Sequence, residues 1–349
     1  MAKHLVIMAG GIGSRFWPMS TPEQPKQFID IIGCGRTMIQ QTFDRFCGVI
    51  DIDHVWVVTS KNYKRFVIEQ LAGINTQHIL LEPCMRNTAP CIAYVSWKIQ
   101  QEDSEALVVV APSDHLVLNV NEFQNNIKKG FDFISQGDSI LTLGMQPTRP
   151  DIGYGYIEEG LPVGLEGNGI YQVASFREKP DLKTAIGYLQ RGGFTWNSGM
   201  FMWRVTTIIS ELRQYVPRIA SVMDEIQPTM FTPEEQEKVN DLFPTCEKIS
   251  IDYAVMEKTK KSYVLPAEFG WSDLGTWGSL YALTPHDDTN NAVIGNLVKL
   301  IDCEGNMVKV PSDKKVVVQG LENCIITEHN DVLLICQLND EQRIKEWNN

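Results

Sequence analysis

The chain has 349 residues, 43% of them apolar, and a formal net charge of −12 from 43 acidic and 31 basic side chains. That length suits two domains, or one large domain with an appendage, and the composition excludes disorder, collagen and coiled coil. The acidity argues against a nucleic-acid binder and requires that an anionic substrate meet a local basic pocket or a metal ion. Strands are predicted at 5–9, 55–58, 79–81, 107–110 and 140–143. These continuous apolar runs lack period-two alternation, which suits strands covered on both faces of a mostly parallel sheet. Between them lie a helix predicted at 88–101, with Ile92, Val95 and Ile99 on one face, and another at 122–134. Thr88 is placed to cap the first, and Pro90 is tolerated in its opening turn. Such alternation implies an α/β sandwich whose ligands bind beyond the C-terminal ends of the strands. From about residue 291 short β segments follow one another at 295–298, 305–308, 315–318, 324–326 and 332–335, with no helix signal until 341–347. This texture predicts a small all-β, β-helix-like appendage. The expected division is 1–288 and 289–349, across the polar stretch 285–291.

The strongest local signal directly follows the first strand. Gly10, Gly11, Ile12, Gly13, Ser14 and Arg15 lead into a proline-stiffened loop that carries Lys26. Glycines let backbone N–H groups approach phosphate oxygens, Arg15 offers a planar fork, and Lys26 a point charge. Phe16 stands where a dinucleotide fingerprint needs its third glycine, and no Gly-Lys-Ser/Thr follows, so neither common nucleotide loop fits. The run GGIGSRFWPMSTPEQPKQF from Gly10 to Phe28 resembles the N-terminal motif of sugar-1-phosphate nucleotidyltransferases, in the form typical of mannose-1-phosphate guanylyltransferases. The similarity extends along nearly the whole chain. It implies a Rossmann-like mixed, mostly parallel sheet sandwiched by helices, of the nucleotide-diphospho-sugar transferase type. It also implies Mg²⁺-dependent transfer of GMP from GTP to mannose 1-phosphate, giving GDP-mannose and pyrophosphate.

The remaining motifs follow the strands. Glu82, at the end of the third, precedes Arg86, Asn87, Thr88, Ala89 and Pro90, a version that resembles the guanylyl branch of the family. A helix start with Asn and Thr offers donors to ribose or phosphate. A carboxylate such as Glu82 is able to accept both the N1–H and the exocyclic amine of guanine. Asp114 lies just beyond the fourth strand, and Asp273 far downstream in a Gly-Trp-Ser-Asp-Leu-Gly segment. The resemblance places Mg²⁺ between these two residues, since hard oxygen ligands completed by phosphate and water are the usual way to hold it. His115 reads as a supporting residue rather than a base. Gly155 lies among tyrosines, where a sugar ring can approach the backbone. By resemblance, Glu178 grips sugar hydroxyls and Lys179 the sugar phosphate. Asn197 supplies an amide that donates to and accepts from vicinal hydroxyls, although Asn-Ser-Gly alone more often marks a turn. Glu257 resembles another family element and receives no role.

The expected reaction needs no general base, because a sugar phosphate is already an oxyanion; positioning and charge neutralisation suffice. Another sugar 1-phosphate, a non-catalytic sugar-nucleotide sensor and a Rossmann oxidoreductase are the alternatives. Eight scattered cysteines without a CxxC pair read as free thiols in a reducing compartment. No stretch is long and apolar enough for a signal peptide or a membrane helix, so a soluble cytoplasmic protein is expected. The C-terminal β segments are candidates for self-association into a homo-oligomer.

Overall fold

The computed structural model describes residues 1–163 and 169–347. It divides into two compact units, and neither is continuous in the chain. The first comprises Met1–Gly10, Phe43–Pro112 and Val117–Trp271; the second comprises Gly11–Thr42, Ser113–Leu116 and Ser272–Asn349.

In chain order the strands up to residue 272 are β1 (Lys3–Ala9), β2 (Val55–Ser60), β3 (Ile79–Glu82), β4 (Leu107–Pro112), β5 (Leu116–Val117), β6 (Ile140–Met145), β7 (Tyr156–Pro162), β8 (Tyr171–Arg177), β9 (Phe194–Arg204), β10 (Ser262–Ala267) and β11 (Trp271–Ser272). The helices are α1 (Met38–Phe46), α2 (Lys64–Gln70), α3 (Thr88–Glu102), α4 (Val120–Ile134), α5 (Leu182–Arg191), α6 (Val205–Tyr215), α7 (Pro217–Ile226) and α8 (Glu235–Leu242). Within the first unit nine strands form one sheet in the order β3-β2-β1-β4-β9-β6-β10-β8-β7. β9 is antiparallel to β4, β6 and β7, and β8 to β7 and β10. The other strands all run one way, with β1 flanked in parallel by β2 and β4. The sheet is therefore mixed, with seven of its nine strands running one way, and β1 to β4, with their unbroken apolar runs, form a continuous parallel part. Val6, Val58, Val108 and Val110 pack with Trp97, Trp203 and the buried faces of α3, α6 and α7 in its main core.

All five expected strands of the first half form, one or two residues longer than their apolar runs. The helix from residue 88 forms too, but its cap is Asn87, whose side chain accepts from the Thr88 N–H at 2.8 Å. The Thr88 hydroxyl is used elsewhere, accepting from the Ile251 N–H at 2.9 Å. Asn197-Ser198-Gly199 lies inside β9, not in a turn. The irregularity that a turn would have accommodated is absorbed instead by positive φ at Gly199 and a register shift between Thr142 and Gly144 on β6.

The second unit holds α9 (Trp277–Leu283), β12 (Ala292–Ile294), β13 (Leu297–Ile301), β14 (Met307–Lys309), β15 (Lys315–Gln319), β16 (Cys324–His329) and β17 (Val332–Gln337). β12, β14 and β16 stack in parallel, as do β13 and β15. β12 with β13 and β14 with β15 thus make two rungs of a short parallel coil, β16 continues the stack, and antiparallel β17 closes one face. The strand expected at 295–298 begins only at Leu297, as the start of β13, because Gly295, whose φ is 157°, turns the corner of a rung. The helix expected at 341–347 is instead a run of 3₁₀ turns over Leu338–Glu346. Buried asparagines tie the rungs together. The Asn291 side chain accepts from the Asn306 N–H at 3.0 Å, and the Asn306 side chain accepts from the Cys324 N–H at 2.9 Å. This unit does not begin near residue 289. Its core joins Phe16, Met19, Ile29 and Ile31 to Trp277 and Leu280 and to Ala292, Met307, Ile325 and Leu334. Apolar side chains of the N-terminal loop need these partners to leave water, so the coil shares its core with residues from both chain ends.

Candidate active site

The cationic cluster lies wholly in the second unit. Gly13 has φ 73°, and a Cβ there would sit 2.5 Å from the Lys26 Cβ, so only glycine lets the two loop segments close. The carbonyls of the loop are already engaged. Gly11 accepts from the Gln27 amide at 2.9 Å, Ile12 from the Ser20 hydroxyl at 2.5 Å, and Gly13 from the Phe16 N–H at 3.1 Å. Trans peptide planarity then turns the N–H groups of Ile12, Gly13 and Ser14 the opposite way. Arg15 and Ser14 are exposed, whereas Lys26 is 2% exposed, with its ammonium 5.6 Å from the centre of the Phe16 ring.

That ammonium donates to Asp114 Oδ2 at 3.1 Å and to the Asp273 carbonyl at 2.8 Å. Sequence reasoning put Lys26 in a proline-stiffened loop after the first strand as a point charge for phosphate; the structure buries it as the link between two distant aspartates. Asp114 follows β4, and the Ser113 carbonyl beside it accepts from the Thr42 hydroxyl at 3.1 Å. Asp273 is fixed by a tight turn: its Oδ1 accepts from the Gly275 N–H at 3.0 Å, and α9 then opens with a Thr276–Ser279 capping box. Burial raises the Asp114 carboxyl, but the Lys26 ammonium, then His115, outweigh it and leave its pKa below the usual value. His115 Nε2 stands 4.0 Å from Asp114 Oδ1, a supporting position. Among the described residues no three His, Cys, Asp or Glu side chains form a group able to hold a metal. The ionised Asp114 carboxylate is a hard oxygen of the kind that serves a divalent cation completed by substrate phosphate and water, and the main chain of Asp273 meets it through the shared Lys26 ammonium.

The base-side candidates lie in the first unit. Glu82 ends β3 and is 9% exposed; its Oε1 is buried without a hydrogen-bond partner. Its Oε2 would lie 3.6 Å from a Cβ on Gly10. Burial lifts its pKa to about 8. Arg86 donates to the Pro244 carbonyl, and Asn87, at φ 68°, caps α3. Together with the Thr88–Ile251 bond, these contacts make the motif a clamp that holds 244–251 against the start of α3.

The sugar-side candidates also gather in the first unit. A Cβ on Gly155 would come within 2.5 Å of Glu178 Oε2, so glycine leaves room for that carboxylate. Lys179, at φ 46°, turns its ammonium back to Glu178 Oε1 at 2.6 Å. The Asn197 N–H donates to the Gly155 carbonyl at 2.8 Å. Tyr154 packs on Trp196 and Trp271, with ring centres 5.0 and 5.3 Å apart. One member escaped sequence reasoning. Asp252 accepts from the Asn197 side-chain amide at 3.0 Å, and burial together with the Glu178 charge raises its pKa to about 6. Its only sequence signal is a lone carboxylate in an otherwise apolar run, Ile251 to Met256, ahead of Glu257.

Comparison with known proteins places these clusters in context. The family model described as Nucleotidyl transferase matches residues 4–290. A protein of Klebsiella pneumoniae named mannose-1-phosphate guanylyltransferase is 35% identical over 98% of this chain and 72% of its own length. The xanthan biosynthesis protein XanB of Xanthomonas campestris pv. campestris is 36% identical over 98% of this chain and 71% of its own. Among solved structures, one from Thermus thermophilus, titled a mannose-1-phosphate geranyltransferase, superposes with a TM-score of 0.88 at 26% identity. It covers 99% of this chain and 98% of that one. No helix among the described residues is long and apolar enough to cross a membrane.

Proposed function

We propose that this chain, which belongs to the nucleotidyl transferase family, is a mannose-1-phosphate guanylyltransferase acting in the cytoplasm. The observation that carries the reading is the buried Lys26 ammonium, which joins the Asp114 carboxylate to the Asp273 carbonyl beneath a glycine loop with outward N–H groups. A sugar-phosphate oxygen attacks the α-phosphorus of GTP. The new P–O bond forms as the bond to the β-phosphate bridging oxygen breaks, and pyrophosphate leaves with that electron pair. Lys26, Arg15 and the loop N–H groups of Ile12, Gly13 and Ser14 stabilise the departing charge. Nucleotidyl transferases of this family use a divalent cation. Here it is read as Mg²⁺ held by Asp114 and Asp273, and when bound it supplies further neutralisation across the reacting phosphates. In its ionised form Glu82 accepts from guanine, Asn87 and Thr88 build the helix start beside it, and Arg86 holds that start in place. Glu178, Lys179, Asn197 and the space beside Gly155 receive the sugar phosphate.

The test is an assay with GTP, Mg²⁺ and a panel of sugar 1-phosphates, followed by pyrophosphate release. Mannose 1-phosphate should give the highest kcat/KM, and Lys26→Ala should lower kcat by on the order of 10²–10³. Near-normal turnover of Lys26→Ala would remove the role given to that ammonium. No release with any sugar phosphate would leave a binding protein on the same fold.

A further inference from the structure

The sugar-side cluster contains a carboxylate to which the reaction assigns nothing. Asp252 opens a π-helical turn, Asp252–Met256, a rare element found disproportionately at functional sites. Its Oδ1 accepts from Asn197 Nδ2 at 3.0 Å. On the other side of the same carboxamide, Asn197 Oδ1 accepts from the Gly199 N–H at 3.0 Å. A backbone N–H only donates, so the amide oxygen must face Gly199 and the NH₂ must face Asp252. A carboxamide carries two N–H groups and two oxygen lone pairs. One of each is committed within the protein, which leaves one of each in a fixed orientation. The Asn197 backbone is tied to Gly155, whose missing Cβ admits Glu178, so the four residues form one connected group.

We propose that Asp252 is a positioning residue, which by accepting from the Asn197 carboxamide fixes the face that amide presents to the sugar hydroxyls. The inference rests on the reading that Asn197 contacts the sugar. The raised pKa of Asp252 agrees with it, since burial and the Glu178 charge outweigh the hydrogen bonds that the carboxyl receives from the backbone and from the Ser250 and Asn197 side chains.

A double-mutant cycle on the full chain tests it, with KM for mannose 1-phosphate and for GTP measured separately. Asp252→Ala should raise KM for the sugar phosphate about tenfold, the effect of one hydrogen bond to a charged group, and leave KM for GTP unchanged. Asn197→Ala should raise the same KM, and the double variant should be no worse than Asn197→Ala alone. Asp252→Asn keeps an accepting oxygen and should return KM to within about threefold of the parent. If alanine lowers the thermal midpoint, Asp252→Ser repeats the cycle. Additive effects, equal rises in both KM values, or failure of asparagine to rescue would overturn the inference while leaving the sugar-side assignment standing. An unchanged KM in Asn197→Ala would instead overturn that assignment, and the inference with it.

Discussion

Glu82 shows how far one side chain departs from what its sequence position suggests. A carboxylate at the end of a strand is legible, and its two acceptors suit guanine. Its near-complete burial and its orphaned Oε1 are not legible, because α3 and the Gly10 backbone come to it from elsewhere in the chain. The facing titratable groups are the Cys91 thiol and the Tyr94 hydroxyl, both neutral and both raised by burial. No cation offsets the desolvation, and the pKa of about 8 follows. The folded state therefore keeps a proton that the unfolded chain loses above about pH 4.5. Stability contributed at acid pH is lost as pH rises toward 8. Replacing Glu82 by Gln should leave stability little changed near pH 5 and raise it by a few kcal/mol near pH 8.5. Denaturant midpoints at the two pH values check this, and the pH difference cancels any fixed cost of burying the amide. A parallel pair of wild-type and variant curves would mean the carboxyl is solvated. The same variant should lose the preference for GTP over UTP if the carboxylate reads the base.

At the scale of elements, β1 illustrates a second limit. Its apolar run was plain, yet the strand begins earlier, at Lys3, and its second residue carries an imidazole that is 0% exposed. His4 accepts at Nδ1 from the Trp56 indole at 3.0 Å and stands 3.5 Å from Asp103. The His54 ring lies 4.5 Å away, and His78 stacks on Trp56 at 3.7 Å. Four segments thus meet at the start of the central strand, a convergence that no local pattern encodes. Burial first, and then His54, lower the His4 pKa to about 4, against the pull of Asp103. A histidine that stays neutral when folded binds fewer protons than when unfolded. Its stabilisation is complete above about pH 6.5 and is lost as pH falls toward 4, by about 3 kcal/mol in all. His4→Gln retains an acceptor for the indole and should flatten the stability profile over that range. Urea midpoints at pH 7.5 and 4.5, followed by tryptophan fluorescence, provide the measurement. An unaltered acid slope in the variant would move the cause to other groups.

Over the whole molecule, the α/β class and the β coil were readable because each rests on local periodicity. The sheet order was not, since β9 inserts between β4 and β6 from far along the chain. The contents of the second unit were hidden for the same reason. A division at residue 288 follows the change in sequence texture, and the family model also ends close by, at residue 290. Packing follows another line. The apolar side chains of the N-terminal loop, Phe16, Met19, Ile29 and Ile31, are buried on Trp277 and Leu280 and on Ala292, Met307, Ile325 and Leu334 of the coil. Phe16, whose ring centre is 5.2 Å from that of Trp277, also lies beneath the Lys26 ammonium. A chain ending at residue 288 would keep every proposed ligand of the phosphates and the metal but lose the coil side of this core. Each large side chain left exposed forfeits about 1.5–3 kcal/mol of burial, and several are affected. The truncated protein should therefore bind a hydrophobic dye, aggregate, and release pyrophosphate at least 10²-fold more slowly than the full chain, although no proposed site residue has been removed. A soluble 1–288 chain of near-normal turnover would show instead that the N-terminal loop holds its shape without the coil, and that the boundary written in the sequence is also the boundary of cooperative folding.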